Sequence, residues 1–169
     1  MTSILKVTEI QDPTNSNTAL SIDSSGRVTT PARPAWSAYR ASSSSIQTTQ
    51  NDRVTVPWNG ATINDGNYNT SSYTYTTPVA GLWHIMYNVR LDNANAGAYI
   101  IGNLAFDGSL STYNEAYVIE SNEGVYHSLV FSGIFELAAS VAITNKVFVS
   151  NDTSWSVTQY GHFSGYLVG

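Results

Sequence analysis

Between residues 78 and 91 the chain reads Pro-Val-Ala-Gly-Leu-Trp-His-Ile-Met-Tyr-Asn-Val-Arg-Leu, and no other stretch restricts the fold as tightly. From Trp83 the side chains alternate. Trp83, Ile85, Tyr87, Val89 and Leu91 form an apolar row, and His84, Met86, Asn88 and Arg90 a mixed one. A period of two is that of a strand with one face in a core. Gly81, with Pro78 ahead of it, punctuates a turn that feeds this strand. Such a strand requires neighbours on its edges and a second layer over its apolar row.

The rest of the chain supplies candidates for both. Residues 3–10, 18–23 and 27–29 read as short strands at the N-terminus. Residues 35–39, 53–58, 98–106, 114–119, 125–137, 141–149 and 155–167 are alternating or apolar runs. Residues 59–72, with Asn-Gly and Asp-Gly pairs, read as loop. Several runs are separated by turn residues such as Asp107-Gly108 and Asn151-Asp152, and none has a convincing helical period. Strand-length runs between turns predict an all-β sandwich or barrel, most economically a jelly roll.

Composition narrows the function. A chain of 169 residues can bury roughly two thirds of its unfolded surface in one domain and needs no cross-links. With no cysteine there is neither a disulfide framework nor a thiolate metal site. Charged residues are 11% and aromatics 12%, 11 of them tyrosines, which suits β-structure with a polar, uncharged surface. A net charge of −5, a pI near 4.9 and seven scattered basic residues argue against a nucleic-acid partner. No apolar run is long enough to insert in a membrane as a helix. The first ten residues alternate and lack a signal-peptide core, so the chain is expected to be made and folded in a cytoplasm.

Pro31 and Pro34 mark a boundary between a segment of residues 1–33 and a larger domain of residues 34–169. The first segment has Ile4, Leu5, Val7, Ile10, Leu20, Ile22 and Val28, too few large apolar groups for a core of its own. It is therefore expected to pack on other copies of itself or on a larger assembly, or else to add strands to the main domain.

Laid out by spacing, Trp58, Asn64, Tyr68, Tyr75, Gly81, Trp83, Ile85 and Tyr87 resemble the aromatic signature of complement C1q-like domains. Trp58 to Asn64, Tyr68 to Tyr75 and Tyr75 to Gly81 keep the family's spacing. Asn64 to Tyr68 is one residue shorter, and Trp83 and Ile85 stand where Tyr and Phe are usual. Pro34-Ala35-Trp36-Ser37-Ala38 resembles the family's first strand, and Phe163-Ser164-Gly165-Tyr166-Leu167 its last. Leu137-Ala138-Ala139-Ser140 departs from the family's Leu-x-x-Gly-Asp. The resemblance implies a jelly-roll β-sandwich of the C1q and tumour-necrosis-factor type, a homotrimer and a binding module, not an enzyme. It implies core roles for Trp58, Tyr75, Gly81, Trp83, Ile85, Tyr87 and Phe163. A row such as His84 and Met86, too mixed for a dry core and too apolar for water, then suits a trimer interface. The N-terminal segment, Ile4-Leu5-Lys6-Val7-Thr8-Glu9-Ile10-Gln11-Asp12 followed by Asn17-Thr18-Ala19-Leu20-Ser21-Ile22-Asp23, resembles the head of structural proteins of marine tailed bacteriophages. In those proteins a short shared arm carries variable C-terminal domains.

Catalytic chemistry finds little support. His84, His127 and His162 lie in strand-like segments, outside any nucleophile or metal-ligand spacing. Asp92, Asp107, Asn122, Glu123, Asn151 and Asp152 are candidates for calcium, but no Asp-x-Asp spacing or dense acidic run accompanies them. No cofactor or metal is expected. A glycan-degrading enzyme would need paired carboxylates converging in a cleft. Tyr113, Tyr117, Tyr126, Trp155 and Tyr160 are the candidate surface aromatics for a glycan or receptor. The expectation is a trimeric fibre, knob or decoration protein of a phage virion. Its residues 1–33 bind other virion proteins, and its head binds the host surface. The alternative is a soluble C1q-like lectin or signalling ligand, which calls for a signal peptide or a Gly-x-y stalk ahead of the head.

Overall fold

The computed structural model describes residues 7–11, 13, 14, 18–30, 32–42, 44–47, 52–92, 98–111, 115–119, 126–150 and 154–169, with the backbone alone described at 44–47, 117–119 and 154. The chain divides into two compact units, Met1–Pro34 and Ala35–Gly169.

The first unit is an antiparallel three-stranded sheet of β1 (Glu9–Gln11), β2 (Thr18–Ile22) and β3 (Val28–Thr29), in that order. Across its strands Ile10 faces Leu20, and Ile22 faces Val28. Between β2 and β3, Asp23 organises the turn: its Oδ1 accepts the Ser25 and Arg27 amides at 2.9 and 3.0 Å. Its Oδ2 meets Arg27 Nε at 2.6 Å. The Arg27 amide, then its guanidinium, hold the Asp23 carboxyl below the usual carboxylate range. Of the stretch expected as a strand over residues 3–10, Glu9 and Ile10 are extended and residues 3–6 lie outside the described residues.

The second unit is built from β4 (Ala35–Tyr39), β5 (Ser44–Gln47), β6 (Arg53–Thr55), β7 (Gly60–Asn64), β8 (Tyr68–Asn69), β9 (Thr74–Thr76), β10 (Gly81–Asp92), β11 (Tyr99–Phe106), β12 (Ser109–Leu110), β13 (Ala116–Ile119), β14 (His127–Leu137), β15 (Ala142–Val149), β16 (Ser154–Val157) and β17 (His162–Leu167). They form two seven-stranded sheets. In the first, β5, β16, β10, β17, β4 and β7 follow one another and β14 lies along β10. In the second, the order is β12, β11, β15, β9, β8, with β13 on β11 and β6 on β15. Every pairing is antiparallel.

Three expectations need correction. Residues 60–64, read as loop, form β7 beside β4, with Ser37 opposite Ile63 and Tyr39 opposite Gly60. Gly60 opens this strand, and the ring of Tyr39 occupies the space a Cβ there would need. The single run expected over 155–167 is two strands, β16 and β17, broken by the turn at 158–161. A third expected strand, 53–58, stops at Thr55, two residues before Pro57, which has no N–H for a ladder.

The alternation of β10 is realised in full: Trp83, Ile85, Tyr87, Val89 and Leu91 are buried, and the residues between them are half-buried. Facing them, the second sheet contributes Tyr75, Ile100, Leu104, Ile143, Val147 and Val149. All four tryptophans are at most 1% exposed. The centre is a ring cluster in which Trp36 stacks on Tyr75 at 3.9 Å and meets Phe163 edge-on at 5.4 Å. Gly165 is required there, since a Cβ would come within 2.3 Å of the Trp36 ring. Some polar atoms in this core are paired: Trp58 Nε1 donates to Asn145 Oδ1 at 3.2 Å, and Tyr68 OH to the Trp58 carbonyl at 2.8 Å, whereas the indole N–H groups of Trp36, Trp83 and Trp155 meet no acceptor among the described residues. Tyr75 OH reaches Asp65 Oδ2 at 2.7 Å. Burial, above all, pushes the phenols of Tyr68, Tyr75 and Tyr87 up, and the Asp65 carboxylate adds to this at Tyr75.

Candidate functional site

The outward face of the first sheet is set by register. His84 lies between Tyr166 on β17 and Ile134 on β14, and Met86 between Ser164 and Ser132. Asn88 lies between His162 and Val130. His84 Nε2 and Ser132 Oγ are 2.8 Å apart, and the imidazole packs against the Tyr166 ring at 5.1 Å. Met86 and His84 are half-buried and line an open cleft of about 260 Å³ with Ser37, Ile63, Ser164 and Tyr166. Around it the face exposes large apolar groups among polar ones: Val130 is 64% exposed, Ile134 61% and Ile63 54%, with Leu82, Tyr39 and Tyr166 also exposed. Contiguous exposed apolar groups of this kind mark interaction surfaces.

The sequence reading reached His84 and Met86 but passed over Val130 and Ile134. Their signal is present: in 127–137, Leu129, Phe131 and Phe135 fall on one parity, and Val130 and Ile134 on the other. Apolar residues on both parities mean that both faces of a strand have apolar surroundings.

A second feature stands at the far end of β10. The Arg90 guanidinium lies 3.7 Å from the ring centre of Tyr126 and 4.9 Å from that of Tyr160. Tyr126 precedes β14 and is 56% exposed; Tyr160, in the turn between β16 and β17, is 64% exposed. The other surface aromatics expected from the sequence do not join them. Trp155 is fully buried, a correction with a simple cause: on β16 it shares the inward parity with Val157, and both are core residues. Tyr113 lies outside the described residues, and of Tyr117 only the backbone, opposite Ile101, is described.

The residues of the aromatic signature fall as follows. Trp58, Tyr75, Trp83, Ile85 and Phe163 are fully buried, Tyr87 is 1% exposed, and Gly81 begins β10. Asn64, within the signature, accepts the Gly66 and Tyr68 amides and donates to the Tyr68 carbonyl, closing the turn after β7. The acidic side chains have structural partners: Asp65 holds Tyr75, Asp107 accepts the Ala142 amide, and Glu115 meets Asn103 and Arg53. Among the described residues no three His, Asp or Glu side chains come together as a metal-holding group. Asn122, Glu123, Asn151 and Asp152 lie outside the described residues.

Two facing antiparallel sheets, with no helix among the described residues, define an all-β sandwich of the C1q-like jelly-roll class. Among solved structures the chain resembles the globular domain of zebrafish complement 1qA protein, with a TM-score of 0.57 at 13% identity. The match covers 80% of this chain and 98% of that one. At such identity the likeness establishes the fold. No protein-family model matches the chain, and no curated protein does.

Proposed function

We propose that the chain is a non-enzymatic binding protein that works as a homotrimer. Residues 1–33 form an attachment arm, and the C1q-like domain is a head displayed on the virion of a tailed bacteriophage for host-surface binding. One observation supports this reading above the others: the outward face of the first sheet. Val130, Ile134 and Tyr166 are exposed on that face beside the half-buried His84 and Met86, on a fold shared with a complement globular domain, and exposed apolar groups gathered on one face mark interaction surfaces. A closed ring of copies, each burying this face against its neighbour, covers it without leaving an open end for further growth. The arm supports the same picture. Its Ile10, Ile22 and Val28 are exposed on a sheet of three short strands, which is marginal by itself and needs a covering partner.

The test is the solution mass by light scattering. A mass of three times the 18.3 kDa chain is expected, and Met86→Lys reduces it to that of one chain while the β circular-dichroism signal persists. A wild-type monomer refutes the assembly. Localisation in an electron-microscopy map of intact particles tests the virion assignment separately, and absence from the particle refutes it.

A further inference from the structure

The Tyr126–Arg90–Tyr160 stack is a constructed feature. Arg90 and Tyr126 are brought together by the register of β10 and β14, in which Leu91 faces His127 and Arg90 faces Ser128. Tyr160 is brought in by the turn that follows β16. The Thr158 amide donates to the Arg90 carbonyl at 2.9 Å, fastening the turn to β10. Gly161 then passes so close that a Cβ would lie 2.3 Å from the Asn88 carbonyl oxygen and 2.7 Å from the Trp58 ring. Only glycine fits, and this close passage sets where Tyr160 sits.

The product is a guanidinium lying over two rings. Among the described residues the ion pairs are Arg27–Asp23 and Arg53–Glu115, so the Arg90 guanidinium has none, and no side-chain hydrogen bond engages it. In a protein of net charge −5 this is a fixed, oriented cation flanked by two phenols that are each more than half exposed. A guanidinium stacked on its faces keeps its N–H groups at its edge, where their fork matches a planar carboxylate. Aromatic rings beside it offer flat apolar surface to the C–H face of a sugar and hydroxyls to its polar edge. Clamping also removes most of the ordering cost that a free arginine would incur on binding.

We propose that Arg90, Tyr126 and Tyr160 form a binding site for a carboxylate-bearing saccharide, such as a uronic acid unit in an acidic surface polysaccharide. The carboxylate docks on the Arg90 edge and the sugar ring lies against a tyrosine. The proposal rests on the reading of the head as a host-surface binding module, and names the chemistry of what it binds.

The test is calorimetric titration of the full chain with an oligogalacturonate, a neutral oligoglucose of equal length and a Glu-rich peptide. Saturable binding of the oligogalacturonate alone is expected. Arg90→Ala should weaken it by about tenfold or more, as loss of a charge-assisted contact does. Arg90→Lys should recover only part of that, since it keeps the charge and loses the fork. Tyr160→Ala should weaken it by about five- to tenfold. Equal binding of the neutral sugar or the acidic peptide overturns the ligand class, and full affinity in Arg90→Ala overturns the site. Light scattering on the same samples separates these failures from failure of the assembly. An intact trimer that binds none of the three overturns this proposal and leaves the trimer standing.

Discussion

Trp155 and Tyr160 have opposite surroundings, and their cost of removal should differ accordingly. Trp155 fills the core beneath β16, whereas Tyr160, five residues later, stands in solvent beside Arg90. Trp155→Ala should cost about 3–5 kcal/mol in chemical denaturation, and Tyr160→Ala no more than about 0.5 kcal/mol. Similar losses from both would mean that the turn carrying Tyr160 is part of the core. The buried phenols add a pH dependence. Tyr68, Tyr75 and Tyr87 hold their protons above the ordinary tyrosine value, so the folded state binds protons more tightly than the unfolded chain. Their contribution is complete below a pH of about 10 and is lost as pH rises beyond it, where unfolded tyrosines ionise first. Thermal midpoints should hold to pH 9 and fall above about 10. The phenolate absorbance of the native protein should stay short of that expected from its 11 tyrosines until it unfolds.

At the level of elements, β10 was legible from its sequence because period-two alternation is a local property, and residues 83–91 display it without help from the fold. The ends of 98–106, 125–137 and 141–149 came within two residues for the same reason. What was not legible depends on contacts between distant segments. Gly60-Ala61-Thr62-Ile63-Asn64 carries turn residues and one large apolar group, and becomes a strand because the edge of β4 is free to pair. Trp155 reads as a recognition aromatic until the parity of β16 turns it inward. Arg90 was visible only as a polar member of a mixed row. Its neighbours Tyr126 and Tyr160 stand 36 and 70 positions away in the chain numbering, and only register and the turn at Gly161 unite the three. The outward row makes its own prediction. Ile134→Glu, on β14 opposite His84, should lower the assembled mass as Met86→Lys does, because both place a charge on the same apolar face. An unchanged mass in both variants would place the subunit contact elsewhere.

At the level of the whole molecule, the two units differ in how they are held together. The second unit has an internal core between two sheets; the first has three short strands on which Ile10, Ile22 and Val28 are exposed. Removing residues 1–34 should leave the head with a cooperative thermal transition, since its buried groups lie within 35–169. A peptide of residues 1–34 alone should give little β signal by circular dichroism, because a single small sheet cannot bury enough apolar surface to offset its chain entropy. A well-folded isolated peptide would contradict the need for a covering partner.

The placement of the tryptophans has a practical consequence. Residues 36, 58, 83 and 155 are the only indoles in the chain, all are shielded from solvent, and all belong to the head. Intrinsic fluorescence therefore begins blue-shifted and quencher-resistant, and moves to the red only when the sandwich opens. The arm emits nothing at those wavelengths. A single fluorophore introduced into residues 1–34 would thus be read against a silent background, so that the docking proposed for this segment can be tested in real time while the native emission independently reports that the second unit is intact.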